Sequence, residues 1–451
     1  MPIVDPIFAD DAVPPPDRPR PPLLSIQSLS SPFAGFVNRR EFWALLDQAV
    51  VSATNFLTNI VLARLAGIEV FGTFALAWMV VLFASLFQDA FVISPMLSVQ
   101  PKLQDSERAD YLGAILIHGF LVASLFTIAI QGVCFCIGHF CNKHEFELVA
   151  PALAVATGFY LAQNLLRRYL FTIRRSSAAF SSDLLSYPPQ VILIVIVAKM
   201  HGISAEGGLW IVALTSAVGA VAATFCLDSI RFSLAASRRI AVRHWRLSRW
   251  LALSVVSSWM SANLFFVVAP VFFGSAAAGI VRASQNILGV TNIWFIGLGN
   301  VIPAETARAL HARGLGAAQR YVRSVIFRWG GITLLFCSVV CVFPVTVLHL
   351  AYGARFDNYG YLLRLYALLY LLMFLGYPLM AMLQALEFTA PIFWAYVVIG
   401  VFASIFSVPL VHAFGLSGVA LGSIATQLIF NSILYASIRV RSPHYSHPEP
   451  I

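Results

Sequence analysis

Charge is what this chain lacks. Asp, Glu, Lys and Arg make up only 11% of its 451 residues, apolar residues make up 59%, and the mean hydropathy is +0.82. That balance lies outside the range of water-soluble globular domains. Lysine occurs only at Lys102, Lys143 and Lys199, none of them in a glycine-rich turn, which excludes a phosphate-binding loop and nucleotide hydrolysis by that route. Neither GxSxG nor HExxH occurs, so the common hydrolase signatures are missing as well. The cysteines number six, and five lie inside apolar runs, which argues against a disulfide framework. Cys134, Cys136, His139, Cys141 and His144 crowd into "CFCIGHFCNKH", but the paired CxxC spacing of a zinc knuckle is absent. The stretch reads as a helix end, and no metal or other cofactor is expected.

Long apolar runs are what is present. A hydrocarbon core of about 30 Å needs about 20 apolar residues per helical crossing. Twelve such spans fall near 42–65, 70–96, 111–138, 147–172, 180–200, 207–228, 249–273, 278–304, 324–349, 358–386, 389–412 and 416–438. The expected fold is therefore an all-α polytopic membrane protein. Residues 1–40 differ in character: rich in proline and charge, they cannot bury enough surface to fold, and they lack the apolar core of a signal peptide. They and residues 441–451 read as tails.

Basic residues set the orientation. With the N-terminus inside, twenty-two Lys and Arg fall on cytoplasmic segments against three, Lys143, Lys199 and Arg355, on the other side. Both termini are then cytoplasmic, and the expected location is the inner membrane. Every outer loop is short (66–69, 139–146, 201–206, 274–277, 350–357, 413–415), which leaves no room for the outer domain that polymerases or ligases of lipid-linked sugars use. Transport, not catalysis, is the leading class.

The longest internal connection, 229–248, separates six spans (41–228) from six (249–440). Ile230, Phe232, Leu234 and Ala235 followed by Arg238, Arg239, Arg243 and Arg246 suit a basic amphipathic helix on the inner leaflet, and suit a solvated linker about as well. Gly72 and Pro95 in span two match Gly279 and Pro303 in span eight, a hint of internal duplication.

Polar groups inside spans are costly in lipid and tend to face the bundle interior or an aqueous cavity. Gln48, Ser52, Asn55 and Asn59 recur at spacings of four, three and four along one face of span one. Interhelical hydrogen bonding and a cavity lining explain that stripe equally well. Arg282, Asn286, Gly289 and Asn300 form a comparable face in span eight, flanked by Gln285 and Asn292. Arg64, Arg282 and Arg364 lie several residues inside their spans near the outer ends. Each either snorkels to headgroups or lines a cavity for an anionic substrate, since guanidinium grips phosphate bidentately. Among the carboxylates Asp47, Asp89 and Asp183, the first two are candidates for coupling transport to protons or sodium, with salt bridging to a neighbouring arginine as the alternative. In "LLRRYLFTIRRSS", Arg174 and Arg175 read as an orientation anchor, and the deeper Arg167 and Arg168 as a grip on a phosphate group at the cytoplasmic mouth. Pro188 and Pro189 are expected to kink span five or delay its start.

The stretch "FWALLDQAVVSATNFLTNIVLARLAGIEVFGTFALAW", with "NLLRRYLFTIRRSSAAFSSDLL" and "RASQNILGVTNIWFIGLGNVIPA", resembles the polysaccharide and O-antigen flippases of the multidrug, oligosaccharidyl-lipid and polysaccharide exporter superfamily. The resemblance runs over most of 42–440. It implies two pseudo-symmetric six-helix bundles around a central cavity, alternating access, and a substrate made of a sugar repeat unit on a polyprenyl pyrophosphate carrier. The partners implied are that lipid-linked oligosaccharide, the membrane and other polysaccharide-assembly proteins, with no nucleic acid. The Pro-Pro pair in span five and the proline-rich tail depart from the pattern. A cation-coupled exporter of drugs or metabolites is the alternative within transport; a membrane glycosyl polymerase or ligase and a non-transporting scaffold rank below it.

Overall fold

The computed structural model describes residues 40–141 and 145–441. The proline-rich tail, His144 of the Cys/His stretch and the last ten residues lie outside the described residues. The described chain is helical throughout: α1 (Arg40–Leu65), α2 (Ile68–Gln88), α3 (Asp105–Cys141), α4 (Glu145–Thr172), α5 (Ser176–His201), α6 (Ala205–Thr224), α7 (Leu234–Phe273), α8 (Ser275–Leu288), α9 (Asn292–Val342), α10 (Pro344–Tyr352), α11 (Gly360–Ala385), α12 (Ala390–Phe414) and α13 (Leu416–Arg441). No three His, Cys, Asp or Glu side chains among the described residues are grouped to hold a metal.

Eleven helical runs are long and apolar enough to cross a membrane, and one of them, Ser275–Val342, covers 68 residues. At 1.5 Å per residue a straight run of that length would reach about 100 Å, over three times the hydrocarbon thickness. It folds back instead. Gly314 adopts φ +72°, open to glycine without strain, and divides α9 into arms of residues 292–313 and 315–342. Trp294 Nε1 in the first arm donates to Thr333 Oγ1 in the second at 3.1 Å, and Trp294 meets the Phe336 ring edge-on. The arms are antiparallel neighbours, so the described residues make twelve such runs in all. The ninth ends at Val342, earlier than its apolar run suggests, because Phe343 leaves helical geometry and Pro344 starts a new helix, α10.

Two halves repeat one packing plan. In the first, α1 packs on α5, α4 on α6 and α5 on α6; six crossings later α7 packs on α12, α11 on α13 and α12 on α13. The halves meet mainly where α2 crosses α8. Gly72 and Gly279 let those backbones touch, the role small residues play between helices in lipid, where apolar side chains gain nothing by leaving the tails. Below, "terminus side" is the face where α1 begins and α13 ends, and "loop side" the opposite face, where α1 turns into α2 and α7 into α8.

Pro188 and Pro189 lie inside α5 without interrupting it. The irregularity falls in span two instead: α2 passes into a π-helical turn, Asp89–Ile93, then a short helix, Ser94–Val99, with Pro95 in its first turn. Proline lacks the N–H that would continue an i to i−4 ladder, and a π turn is one way the ladder adjusts. Residues 234–254 form the beginning of α7, a single helix of 40 residues that runs on through span seven. Ser233 caps it, its Oγ accepting from Ala236 N at 3.2 Å.

Candidate functional site

Two polar constellations stand out, one inside the first half and one between the halves. The first joins α1, α4 and α5. Arg167 donates from Nη2 to Asp47 Oδ2 at 2.5 Å and from Nε to the same oxygen at 3.0 Å, while Nε stands 2.8 Å from Asp183 Oδ2. Both carboxylates are fully buried and the guanidinium nearly so. Phe171 covers the guanidinium, its ring centroid 5.7 Å from Cζ. Gln163 Nε2 donates to Asp183 Oδ1 at 3.0 Å and receives Ser186 Oγ at 3.1 Å on its own Oε1, and Gln190 ties α5 to Thr58 of α1 at 3.0 Å. Asp47 Oδ1 has no hydrogen-bond partner. Two carboxylates sharing one guanidinium carry a net negative charge in a low-dielectric site, and a proton or small cation is its natural complement.

This corrects the reading of Arg167 as a phosphate grip. Its side chain is turned into the first half and committed to two carboxylates, so Arg167 and Arg168 part company. Arg168 is exposed and lies near Asp89, at the start of the π turn. Asn164 Nδ2 bridges Gln88 Oε1 at 3.3 Å and Asp89 Oδ1 at 3.4 Å. Asp89 is thus held by Asn164 rather than by Arg167, although both Arg168 and Arg167 lie near enough to act on it electrostatically. Arg175 donates to Cys226 O and Asp228 Oδ1 at 2.6 Å each and so closes the α4–α5 turn onto the end of α6.

The second constellation lies between the halves. Asn59 Nδ2 reaches Asn55 O at 2.8 Å and Asn286 Oδ1 at 3.4 Å; Asn286 Nδ2 donates to Tyr352 Oη at 3.0 Å and to Phe56 O at 3.5 Å. From that contact the face of α1 leads toward the terminus side through Asn55, half-buried, to Ser52 and Gln48, which are exposed and bonded to each other at 3.1 Å. Arg282 sits one turn along α8 from Asn286, half-buried, near Tyr352 and Tyr370. No hydrogen bond or ion pair reaches its guanidinium among the described residues, and no carboxylate neighbours it. Tyr370 Oη donates to Gln285 O at 3.2 Å, which fixes the ring beside Arg282. Asn292 is exposed one turn beyond Gly289.

Arg64 and Arg364 do not join Arg282. Arg64 Nη2 donates to Leu350 O at 2.6 Å and His349 O at 3.4 Å, capping the end of α10 across the loop side of the two halves. Arg364 Nε donates to Cys341 O at 3.1 Å and shares an exposed, otherwise apolar stripe of α11 with Tyr361, Leu368 and Leu375. Three arginines alike in sequence depth therefore have three different surroundings. Tyr352 and Tyr370, from α10 and α11, were invisible as site residues in the sequence, since a tyrosine in an apolar run carries no periodic signal. Asp183 was visible as an intramembrane carboxylate, though its pairing with Arg167 was not.

No protein-family model matches the sequence, and no curated protein matches it. Solved structures do resemble the fold. A multidrug resistance MATE family transporter of the MOP superfamily, in its inward-facing conformation, aligns with TM-score 0.74 at 16% identity over 89% of this chain and 99% of its own. The lipid II flippase MurJ, in an inward closed conformation, aligns with TM-score 0.67 at 12% identity over 88% and 87%. A MOP superfamily transporter from Pyrococcus furiosus, described as having a binding pocket of reverse polarity, aligns with TM-score 0.61 at 16% identity over 92% and 96%. At these identities the likeness establishes the fold, a multi-pass membrane architecture shared by transporters and a flippase.

Proposed function

We propose that this protein moves polyprenyl-pyrophosphate-linked oligosaccharide repeat units across the cytoplasmic membrane by alternating access, for exopolysaccharide, capsule or O-antigen assembly. The observation that supports it is Arg282: an unpaired guanidinium between the halves, ringed by tyrosine hydroxyls and amides and free of carboxylates. A guanidinium in that setting suits a pyrophosphate, and Gln48, Ser52, Asn55 and Asn59 offer hydrogen bonds to sugar hydroxyls along the approach. In this reading both termini are cytoplasmic, the substrate enters from the terminus side past exposed Arg168, and its lipid tail stays in the bilayer between the halves.

The Asp47–Arg167–Asp183 cluster favours coupling to a proton or small cation, with the uncompensated carboxylate as the binding group. A cation-coupled exporter of drugs or metabolites would use the same group, and MATE transporters share the fold. The substrate decides between them. Deleting the gene in a strain without a second copy is expected to abolish the surface polymer and leave polyprenyl-linked repeat units on the cytoplasmic leaflet. Normal polymer without accumulation, together with drug hypersensitivity and cation-coupled drug efflux in vesicles, would establish the exporter instead.

A further inference from the structure

Helix α7 belongs to both halves. Its loop-side portion packs on α12 in the second half, whereas its first stretch, residues 234–254, precedes the apolar window Val255–Phe273 and lies against α3 and the π turn of the first half. Ser237, His244 and Ser248 are buried along that contact with Ile240 half-buried between them, a single stripe at helical spacing. Across it, His118 Nε2 lies 3.2 Å from Ser237 O and 3.1 Å from Ser237 Oγ, and Tyr111 Oη lies 3.0 Å from His244 Nε2. The two imidazoles are 5.9 Å apart between centroids, and Trp245 stacks on Phe91 of the π turn at 5.9 Å with the planes 8° apart. Any motion of one half against the other on the terminus side must bend α7 or break this contact.

Every group that could meet a proton on His244 is neutral or positive. From α3 come Tyr111 and His118; from the π turn, the Phe91 backbone, toward which Nδ1 points without reaching hydrogen-bond geometry; from α7 itself, Arg243. Asp110, the carboxylate next to Tyr111, is directed at Arg231, 3.7 Å away. A charged His244 would therefore be buried, facing a second imidazole and next to an arginine.

We propose that the His118–His244 pair is a proton-released clasp, holding the start of α7 to the first half while both rings are neutral and letting go when His244 takes a proton. Burial first, then His118 and Arg243, lowers the His244 pKa to about 4 in the shut clasp; released into water it returns to about 6.5. The sign follows. The clasp is fully favoured above about pH 6.5, weakens as pH falls below that value, and has lost all of this contribution below about 4. Over that window the shut-to-open ratio falls by on the order of a hundredfold. Acidification of the terminus side would thus free the halves to move.

Spin labels at Glu107 on α3 and Ala241 on α7, in the full chain with its native cysteines replaced and reconstituted in vesicles, report the gap by pulsed electron paramagnetic resonance. The expected result is one short distance at pH 7.5 and a longer one growing in between pH 6.5 and 4.5. His244→Gln, which keeps a hydrogen-bonding partner for Tyr111 but cannot charge in this range, is expected to stay short throughout. Tyr111→Phe weakens the shut state without removing the titrating group, so it should open at higher pH than the parent. A parent chain unresponsive over this range overturns the clasp. So does an undiminished response in His244→Gln, or an unmoved midpoint in Tyr111→Phe.

Discussion

Gly72 and Gly279 meet backbone to backbone where the halves cross: a methyl group on Gly72 would stand 2.9 Å from the Gly279 nitrogen and 1.8 Å from the Ser275 carbonyl oxygen. Neither distance can be relieved by turning a side chain, because both neighbours are main chain. Gly72→Ala should therefore force α2 and α8 apart on the loop side and favour the state open there. Labels at Glu69 and Ala276 should move apart in the variant, with transport reduced at least tenfold. An unchanged distance would mean that the crossing is not the loop-side seal.

Arg167 holds two buried carboxylates together, so removing it costs more than its own contacts. Arg167→Ala would leave Asp47 and Asp183 buried without their guanidinium, to be protonated or to repel each other, a situation worth about 3–5 kcal/mol of destabilisation. Thermal unfolding in detergent should show a clear drop in Tm. Adding Asp183→Asn should recover part of the loss, because it removes one uncompensated charge. If the two losses simply add, the three residues do not act as one cluster.

Arg282 and Arg364 were indistinguishable by depth in their spans, and their surroundings now set them apart. Arg282→Ala should abolish export of lipid-linked repeat units while the protein remains folded and membrane-inserted, and Arg282→Lys should recover only part, since an ammonium cannot bind a pyrophosphate bidentately. Arg364→Ala should retain most export, its side chain lying on an exposed, largely apolar stripe of α11 and bonding a carbonyl of α9. Equal losses in the two alanine variants would remove Arg282 from the substrate path.

The contrast shows what could be read ahead of the structure and why the rest could not. Span number is a one-dimensional property, set by the length of apolar runs between basic turns, and it was legible down to the reversal near Gly314. The polar stripe of α1 was legible because four residues at helical spacing define a face regardless of what packs there. Partner choice is three-dimensional. Arg167 and Arg168 are adjacent in sequence, but on a helix adjacent side chains point about 100° apart, and one turns to Asp47 while the other stays exposed. Nothing in the local sequence announces that Asp47, 120 positions away, claims the first.

Arg64 closes the loop side in a different way from Gly72. It reaches from α1 in the first half to the last carbonyls of α10 in the second, where unsatisfied C=O groups and the negative end of the helix dipole favour a cation. Replacing it with alanine removes a charge-assisted bond at an exposed site, a loss of about 1 kcal/mol. The folded bundle should tolerate that, with Tm nearly unchanged, while the balance between loop-side-closed and loop-side-open states shifts about fivefold toward open. Because Arg64 acts only when the loop side is shut, the effect should disappear in the Gly72→Ala background, where α2 and α8 are already forced apart. Label distances in the two single variants and the double variant test this directly. A full additional shift in the double variant would show that Arg64 acts elsewhere than on the seal between the halves.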